Sequence, residues 1–287
     1  MTKVFLLGLG AQKAGTTWLH DHFRRHPLAD FGMAKEYHVF DALYVHEAQI
    51  RERFLQRRIR AVSDPPAGVA VTERDRQLLR FLGDTRHYFD YFAHLLRPGT
   101  GKHLTGDVTP SYAALPVEVL AEIRAQLLKR GFEVRVLFLM RDPVERCISA
   151  TRFGLRRDGV RDADEAAVLR ATYASEGCEL RTRYDRTIAA MEQAFPAHER
   201  LVLFYEELFT ESSMRLVTDF LGVPWIAPDF ERRLNVSRSG QSVDEGLRLE
   251  VFRHYAPVYR YMAAREGAER LSRLWPSYQQ FGAALNP

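Results

Sequence analysis

The chain has 287 residues, 46% of them apolar and 27% charged, with a formal net charge of +4. That balance describes an ordinary globular protein and excludes the disordered and fibrous classes. The mild basic excess suits anionic ligands, yet it is also what a solvated surface commonly carries.

Two cysteines, Cys147 and Cys178, are far apart in the sequence. Their spacing fits neither a disulfide framework nor a zinc site, so two buried or idle thiols in a reducing compartment are expected. The opening MTKVFLLGLG is too short for a signal peptide and runs directly into a glycine loop. No apolar run approaches bilayer length, so a cytoplasmic protein without a membrane span is expected.

In chain order, the apolar run at residues 4–9 predicts a buried strand, and residues 15–26 a helix with Trp18, Leu19, His22 and Phe23 on one face. Residues 117–129 are amphipathic. The run VRVLFLM, residues 134–140, is the clearest buried strand. Residues 165–195 predict one or two helices, 201–204 a strand, and 213–221 and 247–266 further helices. Residues 62–75, 157–164 and 227–246 lack periodicity and predict loops. Strands alternating with helices give an α/β, P-loop NTPase-like fold, a central parallel β-sheet flanked by helices. Neither a repeat nor a linker interrupts it, so residues 1–287 are expected to form a single domain.

The stretch from Gly10 to Thr17 has the two glycines of a phosphate loop, G-x-x-x-x-G-K-[ST], at the right spacing. Thr16 stands where the lysine belongs, and Lys13 lies inside the loop instead. A strand, a tight turn and a helix N-terminus still aim amide N–H groups at an anion. What is missing is the lysine that reaches the far phosphates of a triphosphate, which argues against an ordinary ATPase or GTPase.

A second motif follows the 134–140 strand, in MRDPVERCISATRFGLR. Asp142 is a candidate N-cap, Pro143 suits the first helical position, and Glu145 completes a capping-box-like pattern. Arg141 is then held at a strand's C-terminal end, where ligands bind in α/β sheets. Arg146, Ser149, Arg152 and Arg156 recur at helical spacing, and an arginine fork beside a serine suits a phosphate monoester.

QKAGTTWL resembles the 5′-phosphosulfate-binding loop of sulfotransferases that use 3′-phosphoadenosine 5′-phosphosulfate (PAPS), and R-D-P-x-x-R-x-x-S resembles their 3′-phosphate motif. The resemblance implies that Gln12, Lys13, Ala14, Gly15, Thr16, Thr17 and Trp18 hold the 5′ end. Arg141 and Ser149 would hold the 3′-phosphate, with 3′-phosphoadenosine 5′-phosphate (PAP) as product. No metal is expected, because Lys13 can neutralise the leaving group.

The segment KEYHVFD, Lys35–Asp41, resembles the K-E-L-H-F-F-D segment of heparan-sulfate-type sulfotransferases. By that resemblance Glu36 is the general base, with His38 and Asp41 beside it. His38 stays open as the rival base, since cytosolic sulfotransferases use a histidine, although their K-T-H segment is absent here. LTGDVTPSYAALP resembles the family's G-E-K-[ST]-P-x-Y segment, with Asp107 for Glu and Val108 for Lys, and a plain turn before a helix explains it equally well. Tyr205, in RLVLFYEEL, is a candidate adenine contact. Arg238, Ser239 and Gly240 are candidates for a late loop closing on the 3′-phosphate. Trp18, Phe23, Phe40 and the aromatics of residues 88–92 either line an acceptor pocket or fill the core.

The expected activity is sulfuryl transfer to an acceptor hydroxyl on a carbohydrate or other small molecule. The rivals are a P-loop small-molecule kinase using ATP and a nucleotide- or nucleic-acid-binding module. Against the last stands the lack of a nucleic-acid motif or basic–aromatic stripe. Acceptor identity and oligomeric state are not readable.

Overall fold

A computed structural model of the chain describes residues 2–47, 50, 52–65, 70–160, 163–232 and 243–285. Four strands form one sheet: β1 (Lys3–Gly10), β2 (Leu104–Val108), β3 (Phe132–Met140) and β4 (Arg200–Phe204). All neighbours are parallel, in the order β2-β1-β3-β4. From Val4 onward every residue of the central β1 is buried, as expected for a strand covered on both faces. The α/β class and the parallel sheet expected from the sequence are what the structure has.

The structure adds a strand in a segment whose sequence predicts none. LTGDV is polar for a fully buried strand, yet all five residues are buried. Gly106 is why β2 can lie flush on β1: a Cβ there would sit 2.2 Å from the Leu6 carbonyl oxygen. Its polar side chains are satisfied in part by neighbours: Asp107 accepts from Thr109, Tyr112 and Tyr88 hydroxyls at 2.6, 2.9 and 3.0 Å.

Other boundaries move. The first helix is Thr16–Phe23, with Gly15 as its N-cap. Residues 165–195 hold three helices, Glu165–Thr172, Glu176–Glu179 and Tyr184–Ala194. Residues 247–266 hold two, Glu245–His254 and Ala256–Glu266, divided where Pro257 begins the second. The expected loop at 62–75 is helical at both margins. Arg57–Ser63 runs into it, and Glu73–Gly83 starts at a Thr72–Asp75 capping box.

Aromatic packing fills both faces. Phe5 of β1 meets Phe92 and Phe132 edge-on at 5.0 and 5.7 Å, and Tyr88, Phe89, Phe92, Phe23 and Phe40 are buried in the core. Of the aromatics offered as pocket linings, Trp18 alone among these lines the cavity described below. No helix among the described residues is long and apolar enough to cross a membrane.

Candidate active site

A cavity of about 860 Å³ opens where the strands end, and the residues following each strand reach it. These are Gln12 and Lys13 after β1, Pro110 and Ser111 after β2, Arg141 after β3 and Tyr205 after β4. That edge is where α/β sheets bind ligands.

The loop after β1 is built around two backbone constraints. Gly15 has φ 87°, and a Cβ there would lie 2.6 Å from Leu208 and 3.3 Å from Tyr205. Lys13 itself adopts φ 69°, a conformation that L side chains favour little and that concentrates at functional sites. The Thr16–Phe23 helix then begins with no side-chain cap and no acid in its first turn. Its first amides lack intrahelical acceptors and carry the positive end of the helix dipole. Gln12, Gly15, Thr16, Thr17 and Trp18 line the cavity. Ala14 does not: its side chain is buried in the core and its N–H donates to Ala11 O at 3.3 Å.

The Lys13 ammonium lies 4.2 Å from the centre of the Phe153 ring. Burial, with Arg156, Arg141 and Lys35 nearby, lowers its pKa to about 8. Arg141 spans the gap between the two motifs. It donates to Lys13 O at 3.3 Å and lies over the Tyr205 ring at 4.6 Å. Ser149 lines the same wall.

Asp142 caps the Pro143–Arg157 helix by accepting from Val144 N at 3.0 Å. The capping box does not close. Glu145 instead pairs with Arg248 at 2.5 Å, and the Asp142 N–H goes to Glu206 at 3.1 Å. Burial raises the Glu206 carboxyl to about 7.

The arginine row on that helix also divides. Arg152 pairs with Glu165 at 2.9 Å. Arg146 is 1% exposed and donates to Cys178 Sγ at 2.6 Å and Cys147 Sγ at 3.3 Å. The two thiols, distant in sequence, lie 3.5 Å apart, with Cys147 buried as expected and Cys178 partly buried.

Lys35, Glu36 and His38 stand opposite the loop. The Lys35 ammonium donates to Glu36 Oε1 at 2.5 Å and to Thr16 Oγ1 at 3.4 Å. His38 bridges two acids, with Nε2 3.3 Å from Glu36 Oε2 and Nδ1 2.7 Å from Asp41 Oδ2. Burial opposes the charge on Glu36, but the His38 hydrogen bond and Lys35 outweigh it and bring its pKa to about 2. Burial likewise opposes charge on His38, and the two carboxylates outweigh it, raising its pKa to about 9. His38 is also held at φ 51°, and Phe54 stacks on its ring at 3.8 Å.

Ser111 donates to the same Asp41 oxygen as His38. Thr109, hydrogen-bonded to Asp107, accepts from Tyr37 N at 3.1 Å, so the segment after β2 fixes the backbone between Glu36 and His38. Arg156, one of the arginines expected from helical spacing, acts on Lys13, whereas Ser111, Phe54 and Phe153 are neighbours of the site that sequence reasoning did not assign. Only Ser111 had a signal, the polar run ending β2. Arg238, Ser239 and Gly240 lie outside the described residues.

A profile described as "Sulfotransferase family" matches residues 5–227. Among solved structures, a sulfotransferase from Alicyclobacillus acidocaldarius superposes with a TM-score of 0.59 at 19% identity, covering 92% of this chain and 96% of that one. The sulfotransferase domain from the curacin biosynthetic pathway gives 0.47 at 13% identity, covering 90% and 97%. The sulfotransferase domain from the Synechococcus PCC 7002 olefin synthase gives 0.44 at 16%, covering 88% and 94%. A search of curated proteins finds no match. With its profile match running from β1 past β4, the chain belongs to the sulfotransferase family.

Proposed function

We propose that the protein transfers a sulfuryl group from PAPS to an acceptor hydroxyl. The observation that carries this reading is that two groups of candidate anion-binding residues line one cavity. One is the uncapped helix start with Lys13, and the other is Arg141 with Ser149. A donor with phosphates at both its 5′ and 3′ ends fits that pairing. Thr16, where a triphosphate-binding lysine would stand, weighs against the kinase alternative.

In this reading Lys13 and the loop amides hold the 5′ end, Arg141 and Ser149 the 3′-phosphate, and Tyr205 the adenine side. The donor supplies the sulfuryl group. The acceptor oxygen forms a bond to sulfur as the bond from sulfur to the bridging phosphate oxygen breaks, releasing PAP. Lys13 faces the charge left on that oxygen, and the acceptor's proton passes to Glu36.

The charge state of the pair favours Glu36 over His38 as base. A histidine with a pKa of about 9 is already protonated at neutral pH, whereas Glu36 is ionised. A carboxylate at about 2 is a weak base, and Lys35 is one reason it is so low. Lys35 also touches Thr16, so an anion on the loop draws the same ammonium away from Glu36 and raises its basicity.

The test is thermal stabilisation by PAP set against 5′-AMP and against ATP with Mg²⁺, since a ligand that binds only the folded state raises stability by mass action. Stabilisation is expected with PAP above both, and is expected to disappear in Lys13→Ala and Arg141→Ala. Equal or greater stabilisation by Mg-ATP would replace this reading with the kinase.

A further inference from the structure

The cavity that holds Glu36 and His38 is also lined by a second group of cations that the proposed nucleotide contacts leave unused. Arg53, Arg157 and Arg181 line it together with Phe54. Two of the nearby arginines are neutralised: Arg157 pairs with Asp158 at 2.7 Å and Arg152 with Glu165 at 2.9 Å.

Arg53 and Arg181 differ. Among the described residues neither has a carboxylate at ion-pair distance. Arg181 donates to the Gly177 carbonyl at 2.6 Å, and the Arg53 guanidinium lies 5.8 Å from the centre of the Phe54 ring. That ring is the one stacked on His38, so Arg53 is one ring removed from the candidate base pair. Burial, followed by repulsion from Arg146 and Arg53, lowers the Arg181 pKa to about 10, against the pull of Asp41.

These neighbours place the pair on the acceptor side. The cations acting on Lys13 are Arg156, Arg141 and Lys35; those acting on Arg181 are Arg146 and Arg53, and its acid is the Asp41 that holds His38. Members of both cation groups line the cavity that also holds Glu36. A half-buried guanidinium without a carboxylate partner, such as Arg181, is costly to desolvate, and an arriving anion offsets that cost, while the exposed Arg53 beside it adds attraction. Guanidinium forks match carboxylates and phosphates bidentately.

We infer that the acceptor is a hydroxyl compound that also bears a carboxylate or phosphate monoester, held by Arg53 and Arg181 while its hydroxyl faces Glu36. This rests on the sulfotransfer reading above, but its failure is separable from that reading's. The experiment is calorimetric binding to PAP-saturated protein of three matched pairs. They are D-glucuronate against D-glucose, glucose 6-phosphate against glucose, and 4-hydroxybenzoate against 4-hydroxybenzamide.

At least one anionic member is expected to bind about tenfold tighter than its neutral partner. Which pair responds separates carboxylate from phosphate recognition. Arg181→Met and the exposed Arg53→Met should each cut that preference severalfold while PAP affinity is unchanged; Arg53→Met keeps the test open where Arg181→Met fails to fold. PAP binding with no anionic preference in any pair, whether both members bind or neither, overturns the inference. So does a preference that survives Arg53→Met. Failure of PAP itself to bind overturns the donor reading beneath it.

Discussion

The Lys35 ammonium lies 2.5 Å from Glu36 Oε1, closer than any other cation to that carboxylate. Glu36 is therefore ionised and restrained before any acceptor arrives. Its removal should damage chemistry and spare donor binding, because the proposed nucleotide contacts come from Lys13, Arg141 and Ser149. Glu36→Gln is expected to lower turnover by about 10²–10⁴, the usual worth of a positioned general base. PAP affinity by calorimetry should stay within about twofold, well under the tenfold that 1.4 kcal/mol represents. Normal turnover in this variant would remove Glu36 from the role and return His38 to it.

His38 gives a pH signature of opposite sense to a catalytic base. Its pKa rises from 6.5 to about 9 on folding, so the charged form is favoured in the native state. The stabilisation this supplies is fully present below about pH 6.5 and is lost as pH rises through about 9. The melting temperature of the wild type should exceed that of His38→Gln most at pH 6 and converge with it by about pH 10. A gap that widens with pH would mean that the imidazole is neutral in the folded protein.

How legible this site was depended on how local each signal is. The loop from Gly10 to Thr17 and the run after Met140 announce themselves because a glycine turn, a proline and an N-cap constrain residues adjacent in sequence. Glu36 and His38 sit in a short polar segment with no such constraint, and only the resemblance of KEYHVFD pointed to them. What fixes them, Asp107, Thr109 and Ser111, arrives about seventy residues later, on and just after a strand whose polar composition disguised it. β2 was missed because its burial is permitted by Gly106 and by hydroxyl partners from Tyr88 and Tyr112, which no periodicity records. Helical spacing grouped Arg146 with Ser149, yet the fold turns Arg146 inward, because the Glu176–Glu179 helix brings Cys178 against it.

Lys13 makes donor affinity depend on alkaline pH. With a pKa of about 8 in the free protein, it is largely charged at neutral pH. Above that pH the free protein has lost the proton, and an anionic ligand at the loop must restore it on binding. PAP affinity should therefore be flat from about pH 6 to 7.5 and fall by up to about tenfold per pH unit above 8, the limit for one linked proton. Calorimetry in buffers of different ionisation enthalpy should register proton uptake near pH 9. Lys13→Met should bind more weakly throughout and lose this dependence. An unchanged slope in that variant would assign the effect to another group.

Arg146 is expected to divide the reactivity of the two thiols. The hydrogen bond from the Cys147 thiol, followed by Arg146, which donates to Cys178 at 2.6 Å and to Cys147 at 3.3 Å, holds the Cys178 pKa well below its ordinary value against burial. Cys147, fully buried, is pushed well above its own. The thiolate is the nucleophile, and Cys178 is the more exposed of the two thiols that line the cavity. Limiting iodoacetamide at pH 7 should therefore carboxamidomethylate Cys178 and leave Cys147 intact in the native protein, read by peptide mass spectrometry. Cys147→Ala, which removes the hydrogen bond but keeps Arg146, should slow that reaction without abolishing it. Preferential labelling of Cys147 would show that the shared charge sits on the other sulfur.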